Sequence, residues 1–114
     1  MHGFLREAQV TGQLDHPNIV PIHELGRDEQ GQLYFTMKLV EGQSLKALIG
    51  GEPATDHERL FQRLEIFVKV CDALSFAHSR GVIHCDIKSA NVMVGAYGQV
   101  YLMDWGGAQI LPLR

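Results

Sequence analysis

The 114 residues, 46% hydrophobic and 20% charged, have the balance of one globular domain and exclude a disordered chain. A formal net charge of −3 with no basic run argues against nucleic acid as the partner. Two cysteines make no disulfide framework, so the reducing cytoplasm is the expected location, and no apolar run approaches the length of a membrane span.

The first predicted element is a helix over Phe4 to Leu14, with Leu5, Ala8 and Gly12 roughly on one side and Arg6, Glu7, Gln9 and Gln13 around the rest. Gly12 weakens it by about 1 kcal/mol relative to alanine. Asp15-His16-Pro17-Asn18 ends it, because Pro17 disfavours helical geometry at His16. Two strand candidates follow, Ile19 to Leu25 and Leu33 to Val40, joined by a polar segment whose Gly31 supplies the turn, so an antiparallel hairpin is expected.

Ser44 is placed to cap a short helix over Leu45 to Ile49, which Gly50-Gly51 ends. A polar connector from Glu52 leads into a long helix near His57 to Arg80. Its apolar seam is Leu60, Leu64, Phe67, Cys71, Leu74 and His78, with Phe61, Val68 and Ala77 widening it. Cys71 on that seam is expected to be a small buried hydrophobe rather than a reactive thiol, and His78 a structural residue. Gly81 suits the position just after the helix. Strand-like runs Val92–Val94 and Val100–Met103 then flank the reversal Gly95-Ala96-Tyr97-Gly98. The six histidines show no metal-ligand spacing such as His-Glu-x-x-His, and the N-terminus has no apolar signal segment.

The chemistry is concentrated between Val82 and Gly106. His84-Cys85-Asp86 is followed by Lys88, two places after Asp86, and Asn91, five places after it; Asp104-Trp105-Gly106 begins thirteen residues beyond Asn91. Asp86 or Asp104 alone reads equally well as a capping or turn carboxylate. Together with Lys88 and Asn91 they supply a carboxylate for an acceptor hydroxyl, a cation for phosphate and hard oxygen ligands for Mg²⁺. The ordered set resembles the catalytic loop and metal-binding turn of eukaryotic-like (bacterial-type) serine/threonine protein kinases, whose pattern is His-Arg-Asp, a lysine, an asparagine and Asp-Phe-Gly.

The resemblance implies an α+β, protein-kinase-like fold. Residues 1–40 would be the end of the small lobe and the hinge, and residues 41–114 the first part of the helical large lobe. It implies ATP-dependent transfer of the γ-phosphoryl group to a Ser or Thr hydroxyl of a protein substrate. Asp86 and Lys88 would be catalytic, and Asn91 and Asp104 would hold Mg²⁺. Glu7 would be the helix glutamate, although a solvated glutamate is the plain reading of that position. Met37 would be the gatekeeper, with core filler as the alternative. Lys38, Leu39 and Val40 would form the hinge whose backbone meets adenine. Glu41 would accept a bond from the ribose or simply face solvent, Met93 would floor the adenine site, and His84 would pack near Trp105.

Cys85 stands where the family has an arginine that binds activation-segment phosphate, Trp105 stands for phenylalanine, and Ser89 for a common proline. No Gly-x-Gly-x-x-Gly, no Val-Ala-x-Lys strand and no Ala-Pro-Glu segment occurs, so the resemblance covers the middle of a kinase domain. A fragment of that kind is expected to bind nucleotide weakly, to transfer phosphate poorly and to expose apolar surface. A truncated pseudokinase acting as a binding or scaffold module is the alternative, favoured by the absent phosphate loop and disfavoured by the intact set of four polar residues. Small-molecule phosphotransferases of related fold fit less well.

Overall fold

The structure, a computed structural model, describes residues 2–50, 53 and 55–112, with the side chains of residues 2–6 outside that description. The expectations for Leu5, Arg6, Gly51 and Glu52 therefore lie outside the described residues. The elements run α1 (His2–Gln13), β1 (Ile22–Arg27), β2 (Leu33–Met37), β3 (Gly42–Ser44), α2 (Leu45–Ile49), α3 (His57–Ser79), β4 (Val82–Ile83), a 3₁₀ turn (Ser89–Asn91), β5 (Val92–Gly95), β6 (Val100–Leu102) and β7 (Gln109–Ile110). The mixture of helices and strands agrees with the α+β expectation.

Among the described residues three small antiparallel sheets form: β1–β2, β3–β5–β6 and β4–β7. The β1–β2 hairpin closes through Asp28, whose carboxylate accepts the N–H groups of Gln30 and Gln32, and through Gly31 at φ 80°. The first strand starts later than expected. Pro21 has no N–H to give a ladder, so it contributes its carbonyl to the Lys38 N–H at 3.2 Å, while Ile19 instead bridges Leu102 in parallel. The second strand stops at Met37, leaving residues 38–41 as a non-strand linker.

The strand β3 was hidden in the sequence by its brevity. Gly42 permits it, since a Cβ there would overlap the Val94 carbonyl of the neighbouring strand. Ser44 caps α2 through its hydroxyl, which accepts the Ala47 N–H at 3.1 Å, and Gly50 closes the helix in the left-handed region. Asp56 caps α3 in the same manner. The hairpin β5–β6 sets Met93 opposite Tyr101, and Gly98 at φ 83° completes its turn.

The long helix forms where the spacing predicts but buries a different face. Ile66, Val70, Ala73 and Ala77 enter the core, whereas Leu60, Leu64, Phe67, Cys71 and His78 are exposed and Leu74 is half-buried. Each buried position from Ile66 to Ala77 lies one residue before an expected seam residue, a rotation of about 100°. Two apolar stripes lie side by side on α3, and the periodicity cannot choose between them. Ala73 and Ala77 are both fully buried, and their small side chains permit close approach of the layer formed by β4, β6 and Trp105. The expectation that Cys71 is buried is thus corrected, and His78 also lies at the surface. Gly12 is likewise exposed on α1, whose buried positions among the described side chains are Ala8, Val10 and Thr11, with Leu14 buried just after the helix.

Candidate functional site

The segment from Val82 to Ala108 is held by a set of polar contacts centred on His84. Its ring is fully buried. Nδ1 accepts the Asp86 backbone N–H at 3.1 Å, which places the ring proton on Nε2, and Nε2 donates to the Met103 carbonyl at 2.7 Å. The ring also meets Trp105 edge-on, with centroids 4.6 Å apart. Trp105 is itself fully buried and donates its indole N–H to the Leu102 carbonyl at 3.1 Å. His84 therefore fastens the loop that carries Asp86 to the turn that carries Asp104, as its expected structural role requires.

Asn91 makes the second fastening. Its amide Nδ2 donates to the Asp86 carbonyl at 2.8 Å and to Asp86 Oδ2 at 3.3 Å, and its backbone carbonyl accepts the Met103 N–H at 2.8 Å. The side chain is buried, so its orientation is set and Oδ1 is the atom left to serve as an oxygen ligand. Asp86 stays half open to solvent, with Lys88 Nζ 3.7 Å from its Oδ1. At that exposure the ion pair adds little to stability.

Two residues in this segment, Cys85 at φ 70° and Asp104 at φ 59°, occupy the left-handed region although neither is glycine. Such conformations cost about 1–3 kcal/mol and persist where surrounding contacts impose them. Here the His84 and Asn91 contacts lie on either side. The carboxylate of Asp104 is exposed, and Glu7 approaches it from α1. Burial pushes the Glu7 carboxyl above the usual carboxylate range, the Asp104 charge adds to that, and a hydrogen bond from the Trp105 backbone N–H works the other way.

The linker Lys38–Glu41 sits at the opposite end of β5 from Asn91. Met37, Val40 and Met93 are half-buried, while Lys38 and Glu41 are exposed. The Glu41 carbonyl accepts the Ala96 N–H at 2.9 Å, and Lys38 Nζ donates to the Tyr101 hydroxyl at 2.9 Å. Sequence reasoning missed Tyr101 and Asn18. Asn18 donates its side-chain amide to the Val100 carbonyl at 3.0 Å and accepts the Leu102 N–H on its carbonyl at 2.8 Å. The loop after α1, the linker and β5 thus all attach to the three residues of β6.

The sequence pattern of the protein kinase domain matches residues 2–113. The chain belongs to this family. It is 36% identical over 117 aligned positions to the serine/threonine-protein kinase PknD of Protochlamydia amoebophila, covering 95% of this chain and 12% of that protein. It is 38% identical over 115 positions to the PknD of Chlamydia trachomatis and 34% identical over 113 to that of Chlamydia caviae, each alignment covering 92% of this chain and 12% of the relative. The chain is thus similar to a stretch of bacterial-type serine/threonine kinases and spans about an eighth of the length of the curated relatives it matches. Among the described residues no helix is long and apolar enough to cross a membrane.

Proposed function

We propose that this kinase-family chain carries the phosphoryl-transfer centre of an ATP- and Mg²⁺-dependent enzyme acting on Ser or Thr of a protein substrate. The observation that carries the reading is the pair of hydrogen bonds that Asn91 Nδ2 donates to the backbone carbonyl and the Oδ2 of Asp86. It ties a residue suited to metal binding to one suited to taking a proton, and it leaves the amide oxygen of Asn91 and the Oδ1 of Asp86 outside these two bonds.

The donor set fits the metal. Among the described residues no cluster of three His, Cys, Asp or Glu is arranged to hold an ion. The amide oxygen of Asn91 and the carboxylate of Asp104 are two hard donors, which suits Mg²⁺, an ion that keeps its other positions for water and phosphate oxygens. When bound it supplies neutralising charge on the phosphates. The chain's own residues do the rest. Asp86 orients the acceptor hydroxyl and takes its proton, and Lys88, beside it, offsets charge on the transferring group. His84 keeps Asp86 and Asp104 in register. Glu7, beside Asp104, is placed to receive a cation on the phosphate side.

The far end of β5 supports an adenine site. Residues 38–41 border β3, and β3 runs beside β5, where Met93 presents an apolar surface. From Asn91 to Gly95 β5 advances about 13 Å, a span suited to a nucleotide with its base at the linker and its phosphates at Asn91. Backbone groups of Lys38 and Val40 would meet the base, Met37 would wall it and Glu41 would face the ribose. In this arrangement residues 1–40 are the end of the small lobe with the hinge, and residues 41–114 belong to the large lobe.

The test is phosphate incorporation into a generic protein substrate by the full-length protein that contains this chain. Asp86→Asn is expected to cut the rate by about 10²–10⁴-fold while leaving the melting temperature nearly unchanged. An unaltered rate in that variant would overturn the reading.

A further inference from the structure

The Lys38 side chain has a task that its place in the linker does not announce. Its ammonium donates to the Tyr101 hydroxyl at 2.9 Å and also lies 5.4 Å from the centroid of the same ring. Tyr101 is only 6% exposed and stands on β6, paired with Met93 across the hairpin and three residues before Asp104. Two hollows flank the contact. One, of about 620 Å³, lies toward α1 and the His16-Pro17 turn, and the other, of about 380 Å³, lies behind residues 39–41. Lys38 and Tyr101 border both, so apolar packing on the back of the linker is sparse there. Polar tethers hold it: the Lys38 N–H to the Pro21 carbonyl and the Lys38 ammonium to Tyr101 at one end, and the Glu41 carbonyl to the Ala96 N–H at the other.

We infer that Lys38 is a positioning residue: through Tyr101 its side chain locks the adenine-side linker to the hairpin that leads to Asn91 and Asp104, so that base site and metal site keep a fixed separation. The inference deepens the phosphoryl-transfer reading above and rests on it for the nucleotide. The tether itself can be tested without any ligand. Loss of a charge-assisted bond to a neutral hydroxyl predicts local opening that is easier by about three- to tenfold.

The experiment uses Tyr101→Phe, which removes only the acceptor oxygen, with Lys38→Met and Lys38→Arg beside it. In the free chain, exchange of the Lys38 and Ala96 amides, bonded to Pro21 and Glu41, is expected to quicken about three- to tenfold in Tyr101→Phe. Affinity for ATP with Mg²⁺ is expected to fall by a similar factor in Tyr101→Phe and Lys38→Met, to fall no further in the double variant, and to return in Lys38→Arg. Unchanged amide exchange would overturn the tether. Faster exchange with unchanged affinity, or additive losses in the double variant, would overturn the positioning role. Absence of ATP binding by the unmodified chain would instead remove the phosphoryl-transfer reading, and the exchange rates would still decide the tether.

Discussion

The segment Val82–Ala108 and the outer face of α3 treat their side chains in opposite ways. In the first, buried polar contacts fix a loop against a turn: His84 joins Asp86 to Met103, and Asn91 joins Asp86 to Met103 by another route. On the second, Leu60, Phe61, Leu64, Phe67 and Val68 are all at least half exposed, and the groove beside Phe67, Cys71 and Leu74 is lined mostly by apolar groups. A strained backbone at Cys85 and Asp104 is kept where polar partners over-determine it. A contiguous apolar face of that size is a surface that favours association. The difference teaches that residue chemistry and burial carry separate information here, since the exposed site residues are held by order and the exposed apolar ones by nothing within the described residues.

The comparison breaks most readily at His84. His84→Ala removes a buried ring that serves both the Asp86 N–H and the Met103 carbonyl, and it is expected to cost about 3–5 kcal/mol in a denaturant melt. A loss below 1 kcal/mol would mean that the loop and the turn are held independently of each other.

The two stripes of α3 are separated by a matched pair of truncations. Ile66→Ala is expected to cost about 2–3 kcal/mol because Ile66 is 7% exposed and packed in the core. Phe67→Ala, at 63% exposure, is expected to change stability by no more than about 0.5 kcal/mol and to lessen aggregation. Equal costs would return the helix to the face that the spacing alone suggested.

The smallest effect concerns Cys85. Its thiol is exposed and bonds the Ile83 carbonyl at 3.5 Å, and a neutral thiol makes no bidentate contact to phosphate. Phosphatase treatment of the full-length protein is therefore expected to alter its transfer rate by less than about twofold. A large loss would show that another cation takes over the role an arginine has at this position.

The candidate site could be picked out of the sequence because the kinase-family pattern fixes both residue types and spacing. Asp86, Lys88, Asn91 and Asp104 could be singled out in order, and His84 could be placed against Trp105. Helix ends were legible for a local reason, since Ser44 acts through its hydroxyl on a nearby N–H and Gly50 and Gly81 through their own positive φ. The buried face of α3 was not, because adjacent apolar stripes give the same period. Nor was the Lys38–Tyr101 contact, which joins residues 63 apart. The exposure of Cys71 follows from the same rotation that exposes Phe67. For Glu7 the sequence offered a helix glutamate or a plain solvated one; in the fold it is partly buried, bonded by the Trp105 N–H and close to the charge of Asp104.

The central claim is that Asn91 and Asp104 hold Mg²⁺ beneath a nucleotide laid along β5. Its most direct test is a calorimetric titration of the chain with ATP, with and without Mg²⁺, alongside Asp104→Asn, which keeps the size of the side chain and tolerates the left-handed backbone. Binding that strengthens at least about tenfold with Mg²⁺ in the unmodified chain, and loses that gain in Asp104→Asn, is the predicted result. ATP binding that is indifferent to Mg²⁺, or a gain that survives in Asp104→Asn, would contradict it.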